Sequence, residues 1–137
     1  DSQHQRQNIP ILLGLYRSSG DVLFQYDFQR ETLEPEQDLR KAYCQTIIQE
    51  SELSFDQVPE RITFGDTSLF FIKMKDVILS YLEKHPTIFT PKKIQVFFSK
   101  LTSNVDFEEL KQDSSEGNSE DDTEFRSKIT KLLLKHF

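Results

Sequence analysis

"SLFFIKMKDVILSYL", residues 68–82, is apolar at most of its positions and can be read as one buried helix or as two strands. Aromatic and β-branched residues gather at Leu69–Ile72 and again at Val77–Tyr81, with a polar break over Lys73–Asp76. Both features favour two strands, since such residues suit a pleated, half-buried surface. Immediately before it, "ERITFGD", residues 60–66, alternates Ile62 with Phe64 and ends in Gly65-Asp66, a strong hairpin signal. Residues 60–82 therefore read as three successive strands joined by short turns.

The same texture stands near the start of the chain. "ILLGLYR", Ile11–Arg17, reads as a mostly buried strand, and Ser18–Asp21 supplies a turn with Gly20 free to take φ > 0. In "VLFQYDF", Val22, Phe24, Tyr26 and Phe28 then alternate with Leu23, Gln25 and Asp27. A period of two predicts the first four on one face, packed beneath a helix, with Gln25 and Asp27 turned outward.

Three helices complete the pass. Pro35 with Glu34, Glu36 and Asp38 suits a helix start, and Leu39, Ala42, Tyr43, Thr46 and Ile47 give a moderate apolar stripe over Glu36 to about Ser51. Thr90-Pro91 is a cap followed by a first-turn proline, after which Ile94, Phe97, Phe98, Leu101 and Val105 mark a second stripe. Phe125, Ile129, Leu132 and Leu133 mark a third, with Phe137 at its end. The order ββαβββαα with tight turns predicts an α+β fold: a five-stranded antiparallel sheet with helices on its faces. Residues 1–8 are expected to be a flexible tail. Residues 9–137 form one expected domain, with a mobile acidic loop at 112–123 inside "KQDSSEGNSEDDTE".

The strand leading into "SGDVLFQYDF" and the later "ITFGDTSLFFIKMKDVILSYL" resemble the longin and roadblock group of profilin-like domains. The archaeal members related to eukaryotic membrane-traffic proteins are the nearest in character, and the likeness spans about residues 9–105. The resemblance implies a non-catalytic adaptor or regulator of a small GTPase or a membrane-trafficking assembly. Its implied partner is a small GTPase or a sister longin or roadblock subunit, with a homodimer and peripheral membrane association left open. The alternative is another profilin-like binding or sensor domain, either an actin-type binder or a holder of a small ligand.

Charge and chemistry narrow the field further. The 137 residues carry a net charge of −6, which argues against nucleic acid as partner, because phosphate binding needs a clustered positive surface. One cysteine, Cys44, allows no internal disulfide and reads as a small buried filler, so a reducing cytoplasm is the expected compartment. His4, His85 and His136 lack zinc-site spacing, and the four glycines, Gly14, Gly20, Gly65 and Gly117, form no phosphate cradle. Asp21 and Asp66 fall in turns, where local hydrogen bonding explains them, leaving Asp27 without a paired carboxylate for acid/base work. No catalytic residue, metal or cofactor is expected. The expected interaction surface is the polar side of the first helix, Arg40, Lys41, Gln45 and Gln49, beside Gln25 and Asp27 of the second strand.

Overall fold

The computed structural model describes residues 7–29, 32–33, 39–107 and 119–137, with backbone alone at 32–33 and 119–123. Its elements are β1 Ile9–Arg17, β2 Val22–Asp27, β3 Thr32–Leu33, α1 Leu39–Phe55, β4 Arg61–Phe64, β5 Thr67–Met74, β6 Val77–Lys84, α2 Thr90–Asn104 and α3 Ser119–His136. The fold is α+β. Its strands form one antiparallel sheet in the order β3-β2-β1-β6-β5-β4. All five expected strands are present, and the two-residue β3 adds a short rung beside β2. The first strand lies against the last, an order that fits a longin-like topology.

Residues 68–82 are two strands, as the sequence predicts. β5 and β6 pair from Thr67↔Lys84 to Met74↔Val77, and Lys75 turns the chain at φ 57°. A lysine in the left-handed region is strained, and the long flanking ladder holds it there. Gly65 makes the β4–β5 turn at φ 61° without that penalty.

The chain divides into two compact units, Asp1–Pro91 and Lys92–Phe137. In the first, α1 lies on the sheet face that carries Tyr16, Leu69, Phe71 and Ile78, and it contributes Cys44 and Ile48 to that cluster. This corrects the stripe expected of α1. Leu39 is 86% exposed and Tyr43 41% exposed, so the helix is rotated to bury Cys44 and Ile48, one turn apart, instead. Cys44 is buried and takes part in no disulfide, as expected of a small filler. α1 runs past Ser51 to Phe55 and stops at Asp56, whose φ of 57° and N–H bond to the Glu52 carbonyl (3.0 Å) close the last turn. The expected helix start at residues 36–38 lies outside the described residues.

A bulge changes the face of β2. Leu15 pairs with Phe24 but Tyr16 pairs with Val22, so Leu23 is an extra residue and the alternation breaks across it. Val22 therefore packs against the cluster under α1, while Phe24 and Tyr26 point to the opposite face. That face is also apolar, with Leu13, Leu15, Leu79, Tyr81 and Phe70 buried beside them. The Phe28 ring meets Tyr26 at 5.1 Å and Tyr81 at 6.3 Å, both edge-on. The four residues expected on one face are thus divided, Val22 from the other three.

In the second unit, α2 buries Ile94, Phe97, Phe98 and Leu101, and α3 buries Phe125, Ile129 and Leu133. Phe97 meets Phe137 edge-on (5.2 Å) and His136 at a tilt (5.6 Å), and the Lys93 ammonium sits 4.9 Å from the Phe137 ring centre. Burial, opposed by the Lys93 carbonyl and aided by the charges of Lys100 and Lys93, lowers the pKa of His136. Of the expected acidic loop, residues 112–118 lie outside the described residues, and 119–123 open α3. A serine followed by acidic residues is also a helix-start sequence, which is why α3 begins earlier than its apolar stripe. Of the expected tail, residues 1–6 lie outside the described residues.

Candidate docking site

α1 has two flanks along the sheet, and they are built differently. On the β2 side, Arg40 Nη2 donates to Asp27 Oδ2 at 3.2 Å, and Asp27 Oδ1 accepts the Gln29 N–H at 2.9 Å. Gln45 Nε2 donates to the Gly20 carbonyl (3.1 Å) and Gln49 Nε2 to the Ser19 carbonyl (3.2 Å). These bonds fasten the helix to the β1–β2 turn.

The outward placement expected of Gln25 and Asp27 is overturned. Each is 1% exposed, because they lie opposite Phe24 and Tyr26, beside Gly14 and Leu12 of β1, on the sheet face that α1 covers. Gln45 and Lys41 are half-buried, and Gln49 is exposed but committed to the turn. Of the six residues of the expected surface, Arg40 and Asp27 are paired, Gln45 and Gln49 bind the β1–β2 turn, Gln25 is buried with no hydrogen bond to its amide among the described residues, and Lys41 is half-buried.

On the β4 side the flank is open and apolar. Tyr43 and Phe64 meet edge-on at 5.8 Å, and Phe64 remains 46% exposed. Together with Leu39 they wall a cavity of about 340 Å³ whose floor includes Leu12, Cys44, Leu69, Ser80 and Leu82. β4 is the outer strand of the sheet and pairs with β5 alone among the described residues, so its other edge presents backbone donors and acceptors. Leu39 and Tyr43 fell at helical spacing in the sequence and read as core. The missed signal was the competing pair Cys44 and Ile48, which makes α1 apolar over a wider arc than one sheet face can cover.

One buried carboxylate of the first unit gathers several partners. Glu83, fully buried, accepts from Tyr81 Oη (2.7 Å), Thr90 Oγ1 (2.7 Å) and Asn8 Nδ2 (3.3 Å). Burial, with the Glu83 hydrogen bond and charge added, pushes the Tyr81 phenol far above its ordinary range, so it stays a donor. This network is a cross-link between β6 and its neighbours. His85 Nε2 lies 3.8 Å from Asp66 Oδ2 in a separate pair. Among the described residues, no group of three or more His, Cys, Asp or Glu is placed to hold a metal ion. No helix among them is long and apolar enough to cross a membrane.

Compared with known proteins, the chain matches no family model, and no curated protein matches it.

Proposed function

We propose that the chain is a non-catalytic protein-interaction module of longin or roadblock type, an adaptor or regulator of a small GTPase or a membrane-trafficking assembly. The observation that carries the reading is the apolar groove between α1 and the outer strand β4, walled by the exposed side chains of Leu39, Tyr43 and Phe64. An extended segment can add to the β4 edge through its backbone while an apolar side chain enters the cavity beside it. The longin-like strand order supports the same reading. A cytoplasmic, peripheral place at membranes and a partner of the GTPase, longin or roadblock class belong to it.

The test is a binding titration of the intact chain against small GTPases loaded with GDP or a non-hydrolysable GTP analogue, and against isolated longin and roadblock subunits. The expected result is saturable binding that Phe64→Ser weakens at least tenfold while the circular dichroism spectrum is unchanged. Binding that ignores Phe64→Ser and Tyr43→Ser, or no binding across the panel, rejects the reading.

The cavity volume also favours a second reading, a profilin-like sensor, because about 340 Å³ falls at the small end of ligand pockets, which run from roughly 300 Å³ upward. A thermal-shift screen with small apolar molecules separates the two: a ligand that raises the melting temperature and leaves the GTPase and subunit panel unbound supports the sensor.

A further inference from the structure

We propose that the turn between β6 and α2 is a membrane-contact tip that docks on anionic lipid surfaces. Ile88 and Phe89 stand next to one another at its apex, 87% and 72% exposed. Isolated apolar residues on a surface are ordinary, but two adjacent large ones gain nothing for the fold by standing in water.

The turn beneath them is held at several points. Thr87 Oγ1 accepts the Phe89 N–H (3.1 Å), and the Thr87 carbonyl accepts the Thr90 N–H (3.2 Å). Thr90 Oγ1 accepts the Thr87 N–H (3.0 Å) and donates to the buried Glu83 carboxylate (2.7 Å). Pro86 and Pro91 bracket the segment, and His85 enters it in the left-handed region at φ 54°. Its backbone is therefore fixed before contact, so little ordering entropy opposes docking.

The charge around the tip points to the occupant. "KHPTIFTPKK", residues 84–93, contains Lys84, Lys92 and Lys93 and no acidic residue, in a chain whose net charge is −6. Lys84 and Lys92 are exposed. An apolar pair with lysines on both sides in sequence suits the boundary of an anionic bilayer, where the apolar side chains enter the headgroup region and the ammonium groups stay among the phosphates. A bilayer also needs no matching contour, whereas two side chains on a turn offer far less area than a specific protein interface needs.

None of these residues lines the groove. The inference deepens the peripheral-membrane part of the docking reading, yet its test contains no protein partner, so either can fail alone.

The experiment is sedimentation of the intact chain with vesicles of phosphatidylcholine alone or of equimolar phosphatidylcholine and phosphatidylserine. Binding is expected to the anionic vesicles, to weaken with added salt, and to fall about tenfold or more in the Ile88→Ser, Phe89→Ser double variant. Both positions are exposed, so that variant is expected to keep the wild-type circular dichroism. The chain has no tryptophan, so Phe89→Trp supplies a second readout: its emission is expected to shift to the blue on anionic vesicles and not on neutral ones. Equal binding to both vesicle types, undiminished binding of the double variant, or an unshifted tryptophan overturns the proposal. Loss of self-association in the double variant with no vesicle binding by the wild type would overturn it in favour of a protein contact.

Discussion

The two flanks of α1 differ in what finishes them. Toward β2, side-chain amides and an ion pair complete the packing: Arg40 to Asp27, Gln45 to Gly20, Gln49 to Ser19. Toward β4, rings and Leu39 stand over an unfilled cavity, and the sheet ends. The polar flank, which resembles a recognition surface when read as sequence, has its hydrogen bonds used internally. The apolar flank, which resembles core, is the one left with unsatisfied area. A polar residue on a helix is evidence of a surface only after the neighbouring turn has been shown not to take its bonds.

If the two flanks divide stability from recognition, substitutions should sort accordingly. The largest loss is expected along the line between them. Ile48 is fully buried under α1, and truncating such a residue leaves a void that costs about 2–5 kcal/mol. Ile48→Ala, followed by urea denaturation, should show a loss in that range. A loss far below it would mean that α1 is loosely seated and that neither flank is a fixed structure.

Arg40→Glu is expected next. It places a second carboxylate against Asp27, which is 1% exposed and has nowhere to turn. The Arg40 side chain is itself 37% exposed, so water screens part of the effect, and the loss should be about 2 kcal/mol. Charge reversal at Arg40 is therefore a stability probe and unsuitable for mapping an interface. A melting temperature unchanged by it would restore Arg40 to the list of free surface residues.

How far the sequence led follows from these residues. The choice of two strands over one helix at 68–82 was legible because β-branched and aromatic residues cluster on each side of a polar break. The α+β class followed from turn spacing. The face of β2 was not legible, because a one-residue bulge at Leu23 is set by pairing with β1 and leaves no mark in the β2 sequence itself. Gln25 and Asp27 do lie opposite Phe24 and Tyr26, as alternation predicts, but side chains on both faces of the sheet are buried, and reading the polar pair as outward drew the expected site to the closed flank. The open flank was hidden for a different reason. Phe64 ends a four-residue strand, and whether such a strand lies at an edge depends on the order of the whole sheet.

Smaller effects refine the contrast. Gln45→Ala and Gln49→Ala each remove one hydrogen bond to the β1–β2 turn, and each should cost about 0.5–1 kcal/mol. Gln49 also places its Cγ 2.6 Å and its amide nitrogen 2.7 Å from where a Cβ on Gly20 would stand. The pair Gln49→Ala with Gly20→Ala should therefore lose less than the sum of the two single changes, with the remaining cost set by the Gly20 φ of 98°. Urea midpoints of the three variants check this, and strict additivity would show that the two side chains do not share space.

The smallest stability effect is expected at Leu39, and it is the most informative about the open flank. Leu39 is 86% exposed, so Leu39→Ser should move the unfolding free energy by no more than about 0.5 kcal/mol. Yet Leu39 forms a wall of the cavity whose floor holds Cys44, the single cysteine of the chain. That thiol is 2% exposed, so labelling of the native protein with an aromatic disulfide reagent should be slow. Removing the Leu39 wall should raise the labelling rate a few-fold with the urea midpoint unchanged, because access improves while the packing under α1 does not. A ligand or peptide seated in the groove should slow the same reaction in the wild-type chain. If Leu39→Ser leaves the rate unchanged, Cys44 meets solvent only when α1 lifts from the sheet, and the groove is too shallow at that point to admit a partner's side chain.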